Sequence, residues 1–149
     1  MSGFKSAIEL DPKFALATYY LGLAQLQTGD ANAAQVSFRR ALEFDSTNFT
    51  AAFNLGTLEL KQNKVEEALH HFEQAAQINP NYEPAFEALG ELDLYLHRND
   101  DAVRALEHVV AIAPDFAKAH YNLGRAYQAV GRSADAQKEF ASARSLGAP

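Results

Sequence analysis

A period of 34 residues runs through this chain and constrains its fold more than any other feature. Leu-Gly pairs mark the period, at Leu21-Gly22, Leu55-Gly56, Leu89-Gly90 and Leu123-Gly124. Two alanine columns keep the same step, one at Ala17, Ala51, Ala85 and Ala119, the other at Ala34, Ala68, Ala102 and Ala136. A fixed period of this size predicts an array of one repeated structural unit, in which each unit contacts its neighbours.

Each unit is predicted to be a pair of antiparallel helices. In the first complete unit, apolar residues follow helical spacing from Phe14 to Thr28 and again from about Asp30 to Phe44. The first helix of a unit should end at a residue that tolerates a left-handed backbone. These residues are Gly29, Asn63, His97 and Gly131. The pattern therefore predicts an all-α fold.

The glycine of each Leu-Gly pair predicts a close approach between the two helices of a unit. Because glycine has no side chain, it allows the second helix to come near. A column of large apolar residues, Phe38, Phe72, Leu106 and Phe140, should fill the space between successive units. A bulky residue in place of Gly56 should push the helices apart.

Charge and composition exclude several classes of partner. The formal net charge is −6, which disfavours nucleic acid because nucleic-acid-binding proteins need a clustered basic surface. The chain has no cysteine and no apolar run long enough to cross a bilayer, so we expect neither disulfides nor membrane insertion. The lack of a signal peptide in this sequence favours the cytoplasm, but leaves the compartment of a longer parent protein open.

No enzymatic or metal-binding motif is present. A Gly-rich phosphate loop and a Gly-x-Ser-x-Gly motif are both missing. His70 has the spacing of a metal site with Glu66 or Glu73, but one such pair falls short of the three or four ligands that a metal needs. We therefore expect no catalytic residue, no metal and no cofactor.

The spacing and the columns resemble the tetratricopeptide repeat, whose pattern is Trp-x2-Leu-Gly-x2-Tyr, then Ala-x3-Phe, then Pro. The last unit matches best, with His120-x2-Leu123-Gly124-x2-Tyr127 followed by Ala136-x3-Phe140. The tyrosine column departs from the pattern in the earlier units, which carry Gln25, Glu59 and Asp93. The resemblance covers almost the whole chain and implies a right-handed α-solenoid of antiparallel helix pairs.

The register of this family gives four repeats and part of a fifth. The expected boundaries are 1–149 for a single solenoid domain and 15–48, 49–82, 83–116 and 117–149 for the repeats. Phe4 and Ile8 align with Phe38 and Leu42, one period later. Residues 1–12 should therefore form the second helix of a truncated repeat, in a chain cut from a longer repeat protein.

The resemblance also implies where a partner would bind. In this family the first helices line the concave side of the solenoid, and their inward columns form a groove. The predicted groove residues are Leu16, Tyr19, Tyr20, Leu23, Phe53, Asn54, Thr57, Glu87, Glu91, Tyr95, Lys118, Tyr121, Asn122 and Arg125. The aromatics could anchor a partner or stack on neighbouring helices, and the charges could attract a partner or pair with one another.

The leading interpretation is a non-catalytic protein–protein interaction scaffold that binds a peptide or helix of another protein in this groove. One alternative is a regulatory or targeting segment cut from a larger enzyme. Another is a self-assembling repeat module, because a helix over residues 2–10 would expose Phe4 and Ile8 and could mediate weak self-association.

Overall fold

The structure is a computed structural model that describes residues 12–148. Within this range every regular element is an α-helix and no strand occurs, which confirms the all-α prediction. The helices are α1 (Pro12–Gln27), α2 (Ala31–Phe44), α3 (Phe49–Lys61), α4 (Val65–Ile78), α5 (Glu83–Tyr95), α6 (Asn99–Ile112), α7 (Ala117–Ala129) and α8 (Ser133–Ser145). Among these residues, no helix combines the length and the apolar character that spanning a bilayer requires.

Consecutive helices pack as hairpins, in which α1, α3, α5 and α7 are the first helices and α2, α4, α6 and α8 the second helices. The first helix begins at Pro12, two residues before the predicted start at Phe14, because proline suits the first turn of a helix. The helix predicted for residues 2–10 lies outside the described residues.

Residues with a left-handed backbone follow the first helices, as the sequence predicts. The positive φ angles are 83° at Gly29, 60° at Asn63, 59° at His97 and 81° at Gly131. The next residue then donates its N–H back to the last helical turn; the Asp30 nitrogen lies 2.9 Å from the Gln25 oxygen. This hydrogen bond satisfies a carbonyl that the helix end would otherwise leave unpaired.

The glycine of each Leu-Gly pair lies against a large side chain of the second helix. A Cβ built on Gly22 or Gly56 would lie 2.7 Å from a ring carbon of Phe38 or Phe72, respectively. The corresponding distances in the third and fourth hairpins are 2.5 Å and 2.6 Å. The close approach predicted from the sequence is confirmed, and the nearest neighbour of each glycine is a side chain of the second helix.

The chain divides into two compact units, Met1–Asn79 and Pro80–Pro149. In the first unit, α2 packs on α3 through a buried cluster that includes Phe38 and Leu55. In the second unit, α6 packs on α7 through the equivalent residues Leu106 and Leu123. In each unit, therefore, the second helix of one hairpin covers the first helix of the next.

Candidate functional site

The predicted groove residues lie on the first helices of both units. The first unit carries Leu16, Tyr19, Tyr20 and Leu23 on α1 and Phe53, Asn54 and Thr57 on α3. The second unit carries Glu87, Glu91 and Tyr95 on α5 and Lys118, Tyr121, Asn122 and Arg125 on α7. We call these residues the first-helix face of each unit.

The first-helix face of the first unit is largely apolar. Leu16 is 50% exposed and Tyr20 is 58% exposed, whereas Leu23 packs partly against the cluster between α2 and α3. Asn54 is half-buried, and its amide makes no hydrogen bond to another residue in the described range. Thr57 donates its hydroxyl to a carbonyl of its own helix, 3.1 Å away.

Aromatic residues of the first-helix face stack on the second helix of their own hairpin. Ring centroids lie 5.8 Å apart in Tyr19–Phe38, 5.5 Å in Phe53–Phe72 and 5.7 Å in Tyr121–Phe140. The third hairpin breaks the series, because it has Glu87 and Leu106 at these positions. The rings therefore contribute to hairpin packing, with about 0.5–1.5 kcal/mol per aromatic pair beyond the buried area.

Three of the four charged residues predicted for the second unit, Glu87, Glu91 and Lys118, pair with one another. Lys118 Nζ lies 2.8 Å from Glu87 Oε1 and 2.7 Å from Glu91 Oε1. The buried Asn122 donates its amide to the same Glu91 oxygen at 3.2 Å. Hydrogen bonds to Glu87 and then Glu91 raise the pKa of Lys118 above its usual value. Of the two roles that the sequence allowed for these charges, the structure shows mutual pairing.

Three other residues of the second unit remain open to solvent. Tyr95 is 73% exposed, the highest exposure among the large apolar side chains described, and Tyr121 keeps 46% of its surface exposed despite its stacking. Arg125 is exposed and has no ion-pair partner among residues 12–148. These residues are the part of this face that is free to contact another molecule.

An open apolar depression of about 570 Å³ lies beside Lys118 and Tyr121. Its other walls are Phe116, Ala117 and Ala148, none of which was predicted from the sequence. The prediction followed the inward columns of the first helices, whereas Phe116 precedes α7 and Ala148 follows α8. The sequence signal that could have identified Phe116 is an aromatic residue directly before a first helix, and the same position in the preceding repeat is also aromatic, at Tyr82.

Two histidines connect helices within their hairpins. His71 Nδ1 lies 2.7 Å from Glu59 Oε2, and His120 Nδ1 lies 2.6 Å from Glu139 Oε2. His120 Nε2 also lies 2.7 Å from the Pro114 carbonyl. Burial lowers the pKa of His120, but the hydrogen bonds to Glu139 and Pro114 outweigh it and raise that pKa above its usual value.

The histidines and carboxylates of the described residues do not assemble into a metal site. Among residues 12–148, no three His, Cys, Asp or Glu side chains are placed so that they could hold a metal ion. His70 packs its ring against His71, with centroids 5.5 Å apart. The side chains of His70, His71 and His120 instead contact other groups of the protein.

Family models described as tetratricopeptide repeat match three stretches of the chain, residues 4–49, 50–82 and 93–147. Together these stretches cover most of the sequence and confirm the resemblance. No curated protein matches the chain.

Several solved structures are similar over nearly the whole chain. The crystal structure of MamA superposes with a TM-score of 0.80 at 26% identity and covers 96% of this chain and 84% of that one. MamA from Desulfovibrio magneticus RS-1 gives 0.79 at 22% identity, covering 89% and 75%. YrrB, described as a TPR protein with an unusual peptide-binding site, gives 0.84 at 22% identity, covering 97% and 74%. The similarity to YrrB concerns the fold.

Proposed function

The chain belongs to the tetratricopeptide repeat family, and we propose that it is a non-catalytic module that binds a peptide or helix of another protein. The binding surface would be the first-helix face of one or both units. A role in protein interaction is what the fold and its structural relatives support. The identity of the surface and the kind of ligand are our proposal.

One observation carries the proposal: four large side chains of the first-helix faces remain exposed. These are Leu16 and Tyr20 in the first unit and Tyr95 and Tyr121 in the second. Aromatic and aliphatic side chains of this kind are typical anchors of protein interfaces, because they bury a large area at little entropic cost.

The charge distribution supports apolar anchoring over electrostatic recognition. Lys118 already forms ion pairs with Glu87 and Glu91. A partner that binds the Lys118 ammonium or either carboxylate would first have to break these ion pairs. Arg125 is the exception, since it has no ion-pair partner in the described range. A suitable ligand would thus be a segment with apolar side chains at intervals and an acidic group for Arg125.

The similarity to YrrB agrees with this proposal. That protein is described as having a peptide-binding site, and its fold superposes on almost all of this chain. At 22% identity the agreement concerns the scaffold and not the residues that contact a peptide. The residues proposed here rest on their exposure in this structure.

A displayed library of short peptides, selected on the immobilised protein, tests the proposal directly. Binding of the selected peptides is then measured for Tyr20→Ala in the first unit and Tyr95→Ala in the second, by calorimetry. We expect at least one variant to lose about tenfold in affinity, because truncating an anchor removes more than 1 kcal/mol.

The matched control is Leu60→Ala, which removes an exposed apolar side chain of α3 that is not part of the first-helix face. It should leave the affinity unchanged. If the selected peptides bind all three variants as tightly as the unmodified protein, the first-helix faces are not the binding surface.

A further inference from the structure

An apolar groove is present on the first hairpin, where residues of both α1 and α2 line it. It has a volume of about 520 Å³, and Phe14, Ala17 and Leu21 of α1 line it together with Val36 and Phe44 of α2. We call it the first-hairpin groove. Leu21 is 52% exposed, and Phe14 and Val36 are also exposed. A helix with so much apolar surface on this side, in addition to its exposed first-helix face, is normally covered by another element.

The equivalent surfaces of later hairpins in each unit are covered. One period after Leu21, Leu55 is fully buried beneath α2, and in the second unit Leu123 is buried beneath α6. The position is the same in the repeat, and so is the residue type. The exposure of Leu21 therefore results from the lack of a covering second helix among residues 12–148.

The covering helices use the same columns in both units. On α2 they include Phe38, Ala41 and Leu42, and on α6 they include Leu106 and Val110. Both helices supply a large residue and, four positions later, a branched aliphatic residue, and α2 adds the small Ala41 between them. An occupant of the first-hairpin groove should present the same pattern.

That pattern occurs once more, in the residues that precede α1. Phe4, Ala7 and Ile8 stand one period before Phe38, Ala41 and Leu42. We propose that residues 2–10 of this chain occupy the first-hairpin groove, with Phe4, Ala7 and Ile8 covering Ala17 and Leu21 as α2 covers α3. This segment would then act as an intramolecular cap.

The length and attachment of the segment suit the groove. Eleven residues precede Pro12, and nine of them in a helix would extend about 14 Å, more than half the length of α1. The segment joins α1 at the end where the rings of Phe14 and Phe44 meet, with centroids 5.0 Å apart. It therefore enters the groove from one of its ends and needs no long linker.

Docking in this register has one structural requirement. Pro12 and Phe14 belong to the first turn of α1, whereas the equivalent residues before α3 and α7 form the link between helices. The cap therefore requires Pro12–Phe14 to take the linking conformation, so that α1 begins at Ala15. One helical turn opens, and the apolar groove is covered.

Disulfide trapping tests the proposal, because the chain has no cysteine of its own. Ile8→Cys is combined with Leu21→Cys in the full chain, since their equivalents, Leu42 with Leu55 and Val110 with Leu123, pack in one cluster. Under mild oxidation we expect a disulfide within single chains, identified by mass spectrometry of the digested monomer. The control pairs Lys5→Cys with Leu21→Cys, because Lys5 aligns with the exposed Arg39 and should form little disulfide.

Two outcomes would overturn the proposal. Disulfides found only between chains would show that a second copy covers the groove, and equal trapping in the control pair would show that the segment has no fixed register. A second measurement guards against loss of folding in the cysteine variants. Phe4→Ala and Ile8→Ala should each lower the melting temperature by roughly 4–8 °C, while Lys5→Ala should shift it by about 1 °C or less. Equal shifts in all three variants would contradict the cap.

Discussion

At the scale of single residues, the distance between the two helices of a hairpin depends on the glycines, where a Cβ atom would not fit. Gly56 is the clearest case. A Cβ on this residue would lie 2.7 Å from the ring of Phe72 and 3.2 Å from the Ala68 carbonyl oxygen. Real Cβ atoms do not come as close as the first distance, so either the buried Phe72 ring or the helices themselves would have to move. This contact gives a first prediction.

Gly56→Leu should lower the free energy of unfolding by about 2–3 kcal/mol, because the larger residue overpacks the hairpin. Leucine has the better helix propensity by nearly 1 kcal/mol, so the loss would be larger without that gain. Urea unfolding monitored by circular dichroism measures the change. Lys61→Leu on the exposed side of the same helix is the control and should cost little. Equal stability of the two variants would show that the hairpin tolerates the extra volume.

His120 gives a second prediction, concerning pH. Its two ring nitrogens face the Glu139 carboxylate and the Pro114 carbonyl oxygen, and both partners accept hydrogen bonds, so the doubly protonated ring fits best. The charge of Asp115 acts in the same direction. The pKa of His120 is thus higher in the folded than in the unfolded chain, where it is about 6.5.

Because the folded pKa is raised, the stabilisation is fully present below the unfolded pKa and is lost as the pH rises through the folded pKa. Unfolding free energies measured from below pH 6.5 to alkaline pH should therefore fall more steeply for the unmodified protein than for His120→Phe. Phenylalanine is the residue found one period earlier, at Phe86, so it fits the column. Parallel pH profiles for the two proteins would contradict the assigned hydrogen bonds.

At the scale of elements, the sequence predicted the helices well because their ends depend on local chemistry. The left-handed residues at Asn63 and His97 follow from the repeat register, even though neither is glycine. The start of α1 was two residues off, because Pro12 is compatible both with a link and with a first helical turn. Local patterns thus predict where helices end more reliably than where this one begins.

The polar contacts between helices could not be predicted in the same way. Glu59 and His71 are twelve residues apart, and their contact depends on how α3 and α4 pack. The pairing of Lys118 with Glu87 and Glu91 depends likewise on the placement of α7 beside α5. A sequence shows which charges are available, and only the packing of helices shows which of them are already paired.

At the scale of the whole molecule, the family and the class of function follow from periodicity, while the ligand does not. The period locates the first-helix faces, but the exposed area on them depends on stacking and pairing that vary from one hairpin to the next. The formal net charge of −6 describes the whole chain, yet the first-helix face of the second unit carries equal numbers of acidic and basic side chains. Binding at this face should therefore depend weakly on the net charge.

A third prediction follows for peptides selected on the protein that bind through Tyr95. Their affinity should change by less than about threefold between low and high salt, because screening acts on exposed unpaired charges and this face has few of them. Calorimetry over a salt series measures the change. Lys118→Ala is the informative variant, since it leaves Glu87 and Glu91 unpaired and should make the binding of acidic peptides weaker and more salt-dependent. A steep salt dependence in the unmodified protein would indicate electrostatic recognition instead.

The polar contacts inside the hairpins also affect how the chain folds. Four similar hairpins in one chain create a risk that a helix pairs with the wrong neighbour. Ser37 and His71 occupy the same column, yet the first donates to Gln25 and the second contacts Glu59. A swapped hairpin would bury Glu59 against Ser37, which offers one short hydroxyl in place of the larger imidazole ring, and a poorly paired carboxylate is costly to bury. The differing polar pairs therefore make correctly paired hairpins more stable than exchanged ones, although the helices share the same apolar columns.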